Sequence, residues 1–262
     1  MMGVTGASGV LGKILCEKLK NQNIQYSAFN KDIRDYSDLN DWVYKNNISY
    51  IIHLASKVAV KDVEENIDTA YDVNVAGTIN IIKVLKNSPK PFDLFFASSS
   101  HVYKSSSNFI KETDTLEPIN SYGLTKYISE LLLLDFKRKN RDINICIGRI
   151  FSFYHFSQKP PFLYPNLMER FKNEDLKKPF KLYGANSTRD FLNAEEVCDY
   201  VIQLVKVRYD GVVNIASGKA TRIIDFVKNI APCELDFELM DNENITHLNA
   251  DVSLLKKILQ NV

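Results

Sequence analysis

The sequence has few of the features that mark secreted, membrane-spanning or nucleic-acid-binding proteins. Its 262 residues include four cysteines, which lie far apart and form no C-x-x-C pair, so we expect free thiols in a reducing compartment. No apolar run approaches the ~20 residues that a membrane helix needs. The 33 basic and 32 acidic residues nearly cancel, so no strong field favours nucleic acid or an anionic membrane.

The sequence also lacks targeting and metal-binding patterns. Residues 1–12 are glycine-rich and carry no basic leader, so we predict no signal peptide and a cytoplasmic protein. The cysteines show no metal-ligand spacing, and we predict no metal site.

Short apolar runs alternate with longer amphipathic ones. The predicted strands are Met1–Thr5, Gln25–Phe29, Tyr50–Leu54, Leu94–Ser98 and Ile143–Ile147. The predicted helices are Leu11–Asn21, Tyr36–Asn46, Thr69–Asn87 and Ser121–Lys139. This alternation predicts an α/β fold with a Rossmann-like, doubly wound parallel sheet.

The pattern changes after Arg149, where residues 151–188 are rich in proline. We predict a dinucleotide-binding domain over residues 1–150, to which 189–216 return through a helix at Ala194–Val207 and a strand at Val212–Ile215. Residues 151–188, with one helix near Pro165–Asn173, and 217–262 are predicted to form a small α+β substrate lobe.

A glycine-rich turn joins the first predicted strand to the first predicted helix. Gly6 permits the tight turn, Gly9 lets the backbone approach a pyrophosphate, and Gly12 lets the helix pack on the sheet. The amino end of that helix then faces the phosphate charge. The pattern predicts a nicotinamide dinucleotide.

The end of the second predicted strand bears on the choice of cofactor. NAD sites usually have Asp or Glu there to hold the ribose 2′-hydroxyl, but this chain has Asn30-Lys31. Lys31, with Arg34, could instead meet a 2′-phosphate. We therefore predict that NADP(H) is preferred, with NAD(H) as the alternative.

Tyr122 and Lys126 are four residues apart and share one face of a predicted helix. A nearby cation favours phenolate, and lowering a tyrosine pKa from ~10 to ~7 takes about 4 kcal/mol. We therefore expect Tyr122 to act as an acid–base at neutral pH. A serine cluster, 98–100, ends a strand where ligands of open α/β sheets bind, so one of its hydroxyls should polarise a substrate carbonyl.

Several motifs together resemble the extended short-chain dehydrogenase/reductase family of nucleotide-sugar epimerases, dehydratases and reductases, over nearly the whole chain. The motifs are T-G-A-S-G-V-L-G at 5–12, D-I-R-D at 32–35, H-L-A-S at 53–56, V-N-V-A-G-T at 73–78, S-S-S-H-V-Y at 98–103, Y-G-L-T-K at 122–126, R-D-F-L at 189–192 and N-I-A-S-G at 214–218.

The resemblance implies roles for individual residues. It places the catalytic hydroxyl at Ser99, beside Tyr122 and Lys126, and implies that Arg189 holds a sugar-nucleotide diphosphate. Residues implied at the cofactor are Gly6, Ser8, Gly9, Val10, Leu11, Gly12, Asn30, Lys31, Asp32, Ile33, Leu54, Ala55, Ser56, Asn74, Tyr122 and Lys126. Residues implied at the substrate are Ser100, His101, Ser152, His155 and Arg189.

The resemblance leaves several reactions open. Family dehydratases carry Asp-Glu where this chain has Ser100-His101, which argues against dehydration. We expect NAD(P)H-dependent reduction of a 4-keto (deoxy)sugar nucleotide in surface-polysaccharide biosynthesis, or alternatively C4 epimerisation. In an epimerase-reductase, His101, partnered by His155, would move a proton at C3 or C5. A non-catalytic NADP(H)-binding protein is the remaining alternative.

Two departures from the family pattern concern specificity and assembly. The family usually has R-x-x-N-x-Y-G-P where this chain has R-I-F-S-F-Y-H-F at 149–156, which predicts an unusual specificity. The four consecutive leucines at 131–134 surround a helix, so one side needs a cover beyond the sheet. Because relatives pair through this helix, we predict a homodimer through helices 69–87 and 121–139.

Overall fold

The computed structural model describes residues 1–240 and 245–260. Its strands are β1 (Met2–Thr5), β2 (Tyr26–Phe29), β3 (Tyr50–His53), β4 (Asp93–Ser99), β5 (Ile145–Ile150), β6 (Ser152–Tyr154), β7 (Phe180–Tyr183), β8 (Thr188–Asn193), β9 (Gly211–Ile215), β10 (Ala220–Arg222), β11 (Phe237–Met240) and β12 (His247–Leu248). Its α-helices are α1 (Val10–Asn21), α2 (Tyr36–Lys45), α3 (Val60–Glu65), α4 (Ile67–Tyr71), α5 (Gly77–Asn87), α6 (Ser121–Lys139), α7 (Leu163–Asn173), α8 (Ala194–Lys206), α9 (Ile223–Ile230) and α10 (Ser253–Leu259).

A parallel sheet forms the centre of the molecule, with strand order β2-β1-β3-β4-β5-β9. One hydrophobic core packs α1 and α8 on one face, and a second packs α2, α5 and α6 on the other. Because both faces are covered, β3 and β4 are buried along their whole length, and apolar residues occupy consecutive positions in the middle of each strand. The predicted doubly wound α/β fold is confirmed.

The order of the strands determines where a ligand can bind. The chain runs from β1 outward to β2 and then back across β1 to β3, so the direction of winding reverses at β1. Helices that leave on opposite faces open a crevice at the carboxyl ends of these strands. The glycine-rich turn lies at this point, since it directly follows β1.

The smaller lobe has its own hydrophobic cluster, formed by α7, α9 and the parallel pair β7–β11. The chain does not stay in the lobe to its end, however. Strand β12 pairs with β8, and Val252 and Leu255 belong to the core that contains α1 and α8. Assigning all of residues 217–262 to the lobe was therefore wrong at the carboxyl end. The short apolar stretch before α10 fits either core by composition.

The helix predicted over 69–87 is broken into α4, a π-helical turn at Asp72–Ala76, and α5. The carbonyl of Asn74, in this turn, accepts hydrogen bonds from the hydroxyls of Thr78 (2.6 Å) and Ser129 (3.0 Å). Side-chain oxygens thus compensate for the altered backbone pattern. Strand β5 begins two residues and ends three residues later than predicted, which places Arg149 within the sheet.

Among the described residues, no helix has both the length and the apolarity required to cross a membrane.

His53 ends β3 and is almost fully buried between the sheet and α6. Its Nδ1 lies 2.7 Å from Oγ1 of Thr5, and burial, together with the charge of Lys126, lowers the pKa of His53 to about 3. The folded protein therefore keeps this ring neutral at pH values where the unfolded chain, with an ordinary pKa near 6.5, takes up a proton.

We predict that the free energy of unfolding falls as the pH drops below about 6.5, because the unfolded state alone gains the proton of His53. Between pH 7 and pH 5 this one group contributes a loss of about 2 kcal/mol. Urea denaturation of wild type and His53→Asn, which keeps a polar atom near Thr5, measures the contribution. Parallel stability curves for the two proteins over this pH range would show that the prediction is wrong.

Candidate active site

A groove of about 440 Å³ runs along the carboxyl ends of β1, β2 and β3. It contains ten of the residues expected at the cofactor, together with two that the sequence analysis missed, Phe29 and Val73. The ten are Gly6, Ser8, Gly9, Asn30, Lys31, Asp32, Ile33, Leu54, Ala55 and Ser56. Apart from Val73, which lies in the π-helical turn at Asp72–Ala76, the lining residues belong to three segments at the ends of β1, β2 and β3, so the switch in strand order brings these segments together.

The glycine turn has the shape that a dinucleotide pyrophosphate requires. Gly6 has φ +71°, and a Cβ there would lie 2.6 Å from the backbone nitrogen of Ala55. A Cβ on Gly12 would lie 2.2 Å from the carbonyl oxygen of Gly6, so helix α1 packs directly on the turn. At Gly9, by contrast, the nearest atom would be 3.4 Å away, which leaves room for a ligand.

The amino end of α1 is available to an anion. The helix begins at Val10, followed by Leu11. No side chain caps it, and its first turn contains no acidic residue. The first backbone N–H groups of this helix have no partner within the helix, and no capping side chain accepts from them, so they can bind an anion. The residues present fit a bound pyrophosphate.

The cations expected at a 2′-phosphate both have acidic partners. Lys31 Nζ lies 2.5 Å from Asp38, and the guanidinium of Arg34 binds both oxygens of Asp32. These hydrogen bonds lower the pKa of Asp32 to about 2. All four side chains are exposed, so these ion pairs are weak and exchangeable.

Asn74 braces the floor of the groove from the π-helical turn. Its amide oxygen accepts from the hydroxyl of Ser56 (2.9 Å) and the backbone N–H of Lys57 (2.8 Å). Its amide nitrogen donates to the Lys57 carbonyl (3.0 Å) and to Thr125 on α6 (2.9 Å). Asn74 thus ties the loop after β3 to the helix that carries Tyr122, and it positions groove residues without lining the groove.

Ser99, Tyr122 and Lys126 meet where β4 ends against the start of α6. The hydroxyl of Ser99 accepts from the His101 N–H (3.2 Å) and is hydrogen-bonded to the Tyr122 phenol. Lys126 Nζ donates to the carbonyl oxygen of Ala97 (2.8 Å) and lies 6.0 Å from the centre of the Tyr122 ring. All three catalytic candidates are buried.

Burial determines the acid–base properties of this group. It raises the pKa of Tyr122 to about 12, although the hydrogen bond with Ser99 opposes the shift. It lowers the pKa of Lys126 to about 7, although the nearby Glu130 carboxylate opposes that shift. Our expectation that a neighbouring cation lowers the Tyr122 pKa is therefore wrong for the protein itself, because desolvation is the largest effect on this phenol and the effect that opposes it is the Ser99 hydrogen bond.

A buried ion pair lies one helical turn beyond Lys126. Arg149 on β5 binds both oxygens of Glu130, with a shortest distance of 2.7 Å. Glu130 also accepts from the hydroxyl of Ser98, and Arg149 donates to Tyr103 (2.8 Å), whose hydroxyl donates to Asn214 (2.6 Å). The network joins β4, β5, β9 and α6. Sequence analysis missed it, although a glutamate four residues after Lys126 would extend the same helix face.

Of the residues expected at the substrate, His101 lies beside Tyr122, and Arg189 is near enough to His101 for its charge to act on the ring. The ring of His101 stands edge-on to that of Tyr122, with centroids 5.7 Å apart. Burial, followed by the charge of Arg189, lowers the pKa of His101 to about 4. The guanidinium of Arg189 donates to the carbonyls of Thr188 and Thr246 (both 2.8 Å). Arg189 is therefore close enough to His101 for its positive charge to disfavour protonation of the ring.

The other three expected substrate residues are placed differently. His155 lies at the start of α8, with Nδ1 2.7 Å from Ser157 and Nε2 3.8 Å from Glu195, so its predicted partnership with His101 is wrong. Ser100 is buried within the turn that follows β4. Ser152 is half-buried in β6, which pairs with β8.

The sequence model described as "NAD dependent epimerase/dehydratase family" matches residues 2–216. The chain belongs to this family. The match to this NAD-dependent epimerase/dehydratase family covers the central sheet up to the end of β9 and therefore includes the groove and all three catalytic candidates.

Named relatives of this chain include 4-epimerases and a 4-dehydrogenase of nucleotide sugars. It is 29% identical to the UDP-glucose 4-epimerase of Mycoplasma genitalium over 79% of its own length, and 30% identical to that of Mycoplasma pneumoniae over 72%. It spans 68% and 62% of those two proteins. It is also 25% identical to the GDP-6-deoxy-D-talose 4-dehydrogenase of Aggregatibacter actinomycetemcomitans, with 98% of this chain and 90% of that protein covered.

Two solved structures share the fold. The Thermus thermophilus UDP-glucose 4-epimerase in complex with NAD superposes with TM-score 0.83 at 18% identity, covering 98% of this chain and 92% of that one. The Pseudomonas aeruginosa protein RMD complexed with NADPH superposes with TM-score 0.85 at 21% identity, covering 98% and 91%.

Gly123, in the first turn of α6, provides a test of how the site is positioned. A Cβ there would lie 2.2 Å from the carbonyl oxygen of His101, a backbone atom that has no room to move away. We predict that Gly123→Ala destabilises the protein by about 1–3 kcal/mol and separates the Ser99–His101 turn from Tyr122. The control is Leu124→Ala, at an exposed neighbouring position. Urea denaturation that finds equal losses for both variants would contradict the prediction.

Proposed function

We propose that the protein transfers a hydride between a nicotinamide dinucleotide and C4 of a sugar carried on a nucleoside diphosphate, in the direction that reduces a 4-keto (deoxy)sugar. The observation that carries the proposal is the convergence of Ser99, Tyr122 and Lys126 at the carboxyl end of β4, beside a groove suited to a dinucleotide. Sugars of this class supply surface polysaccharides, and a cytoplasmic location would give access to them.

The protonated form of Tyr122 fits the direction of reduction. A reductase begins its cycle with a protonated acid, and burial keeps the Tyr122 phenol protonated at neutral pH. Bound NAD(P)H would supply the hydride. The chain's own residues do the rest: Ser99 donates a hydrogen bond to the C4 oxygen, Tyr122 gives that oxygen its proton, and Lys126 holds the ribose of the cofactor and stabilises the phenolate that is left.

We propose that the cofactor is NADP(H) in preference to NAD(H). Position 30 holds an asparagine where NAD sites usually have the acid that binds the ribose 2′-hydroxyl, and Lys31 borders the groove. Because an exposed ion pair contributes only about 0–1 kcal/mol, Lys31 can exchange Asp38 for a 2′-phosphate at little cost. Solved relatives hold NAD in one case and NADPH in another.

We propose that Arg189 holds the diphosphate of the substrate. Within residues 1–240 and 245–260, its guanidinium binds carbonyl and hydroxyl oxygens and no carboxylate, so its charge remains uncompensated by those residues. Burial lowers its pKa, and an anionic ligand would reverse that destabilisation. The sugar would then lie between Arg189 and Tyr122, within reach of His101 and Ser152.

Epimerisation at C4 is the second candidate, favoured by the relatives that are named UDP-glucose 4-epimerases. It would use the same Ser99, Tyr122 and Lys126, but the hydride would return to the same sugar. Dehydration would need an acid–base pair where this chain has Ser100 and His101. Failure to oxidise NADPH with any 4-keto sugar nucleotide, together with failure to epimerise, would favour a non-catalytic cofactor-binding protein.

We predict that purified protein oxidises NADPH faster than NADH in the presence of one or more 4-keto sugar nucleotides. Tyr122→Phe should lower kcat by about 10²–10⁴, because the proton donor is lost, while the Kd of NADPH changes by less than about threefold. The control is Tyr127→Phe, the next tyrosine on α6. Interconversion of UDP-glucose and UDP-galactose without net cofactor oxidation would instead identify a 4-epimerase.

We also propose a homodimer through α5 and α6. Leu133 is fully buried against the sheet, whereas Leu131 and Leu134 on the same helix are 49% and 42% exposed. Ile79 on α5 is exposed as well, so the two helices present an apolar surface to solvent.

We predict that wild type has the mass of a dimer in light scattering at micromolar concentration, and that Leu131→Glu has the mass of a monomer, because a carboxylate would be desolvated in the interface. The matched control is Leu239→Glu, at a leucine of the lobe with 50% exposure. A wild-type monomer, or loss of the dimer in both variants, would contradict the proposed interface.

A further inference from the structure

The hydrogen bonds around His101 determine which of its ring nitrogens carries the proton. Asn120 caps α6, and its side-chain oxygen accepts from the backbone N–H of Gly123 at 2.8 Å. A backbone nitrogen can only donate, so the atom of Asn120 that faces Gly123 must be the amide oxygen. The amide nitrogen of Asn120 therefore faces Nδ1 of His101, at 2.9 Å.

An amide NH₂ has only protons to give, so Nδ1 of His101 must accept. A neutral imidazole with an accepting Nδ1 carries its single proton on Nε2. The ring is neutral at physiological pH, because burial and the charge of Arg189 lower the pKa of His101 well below 6.5. The groups that face the ring are thus Asn120, Tyr122 and Arg189, none of which is an anion at neutral pH.

Nε2 of His101 is the ring nitrogen that remains available to a ligand. The described residues offer Nε2 no hydrogen bond. The buried side-chain atoms that lack a partner among these residues are the Tyr50 hydroxyl and Oδ1 of Asn249, so Nε2 is not one of the atoms sealed inside the protein. Nε2 is therefore open to a ligand. It lies on the ring that stands edge-on to Tyr122, next to the position that the proposed function assigns to the sugar.

We propose that His101 determines substrate specificity as a fixed hydrogen-bond donor, whose Nε2–H binds a hydroxyl or carbonyl oxygen of the sugar beside C4. The inference rests on the proposed function for the identity of the ligand. It also excludes a different role for the same residue. A base that removes a proton at C3 or C5 needs a free lone pair, but Nδ1 is occupied by Asn120 and Nε2 already carries a proton.

The tautomer can be measured without substrate. We expect the ¹⁵N chemical shifts of the imidazole to show, at pH 7, a neutral ring with its proton on Nε2. The chain has four histidines, and His101→Gln identifies the signals by their loss. Asn120→Asp should still cap α6, but its carboxylate can only accept a hydrogen bond from Nδ1. In this variant we expect either that the proton of the neutral ring moves from Nε2 to Nδ1 or that the ring becomes charged. A wild-type ring protonated on Nδ1, or charged at pH 7, would overturn the proposal.

Activity then tests the role of the donor. Gln places an amide N–H near the position of Nε2 and Phe does not, so kcat/KM should be at least about tenfold higher for His101→Gln than for His101→Phe. No solvent deuterium should enter C3 or C5 of the product. Equal losses in the two variants, or deuterium entry that depends on His101, would overturn the donor role. If no sugar nucleotide reacts at all, the proposed function fails while the NMR result on the tautomer stands.

Discussion

The buried pair of Glu130 and Arg149 holds together the parts of the molecule that the candidate site requires. Breaking such a pair by removing one partner typically costs about 3–5 kcal/mol, because the other charge is left desolvated. Here the pair connects α6 to β4 through Ser98, the residue directly before Ser99. It also supplies a carboxylate, that of Glu130, whose charge favours the ammonium form of buried Lys126. Core stability and site geometry therefore depend on the same contact.

The sequence was sufficient to predict the fold and the location of the groove. Glycines with a fixed spacing after an apolar strand have few other structural uses, and in the structure Gly6, Gly9, Asn30 and Ser56 line one groove. What links distant segments was harder to predict. Nothing local in the sequence shows that Arg149 meets Glu130, or that His155 meets Glu195, since both contacts depend on how β5, β6 and the helices pack.

The protonation states of the site residues were harder to predict from residue spacing than their positions. The interval between Tyr122 and Lys126 correctly places both on one helix face, but it contains no information about burial. Desolvation acts on both groups in the direction of the neutral form, which raises one pKa and lowers the other. The same effect keeps His53 and His101 neutral. Around Tyr122, burial therefore favours the neutral form of these side chains.

The π-helical turn at Asp72–Ala76 restricts how the length of the chain can change during evolution. Such a turn holds one residue more than regular α-helix would, so deleting one residue would leave a continuous α-helix without the widened turn that positions Asn74. Asn74 could then no longer reach both Lys57 and Thr125 while α5 keeps its buried face on the sheet. Single-residue deletions should be tolerated in neighbouring loops but eliminated here, although no bulky side chain would be lost.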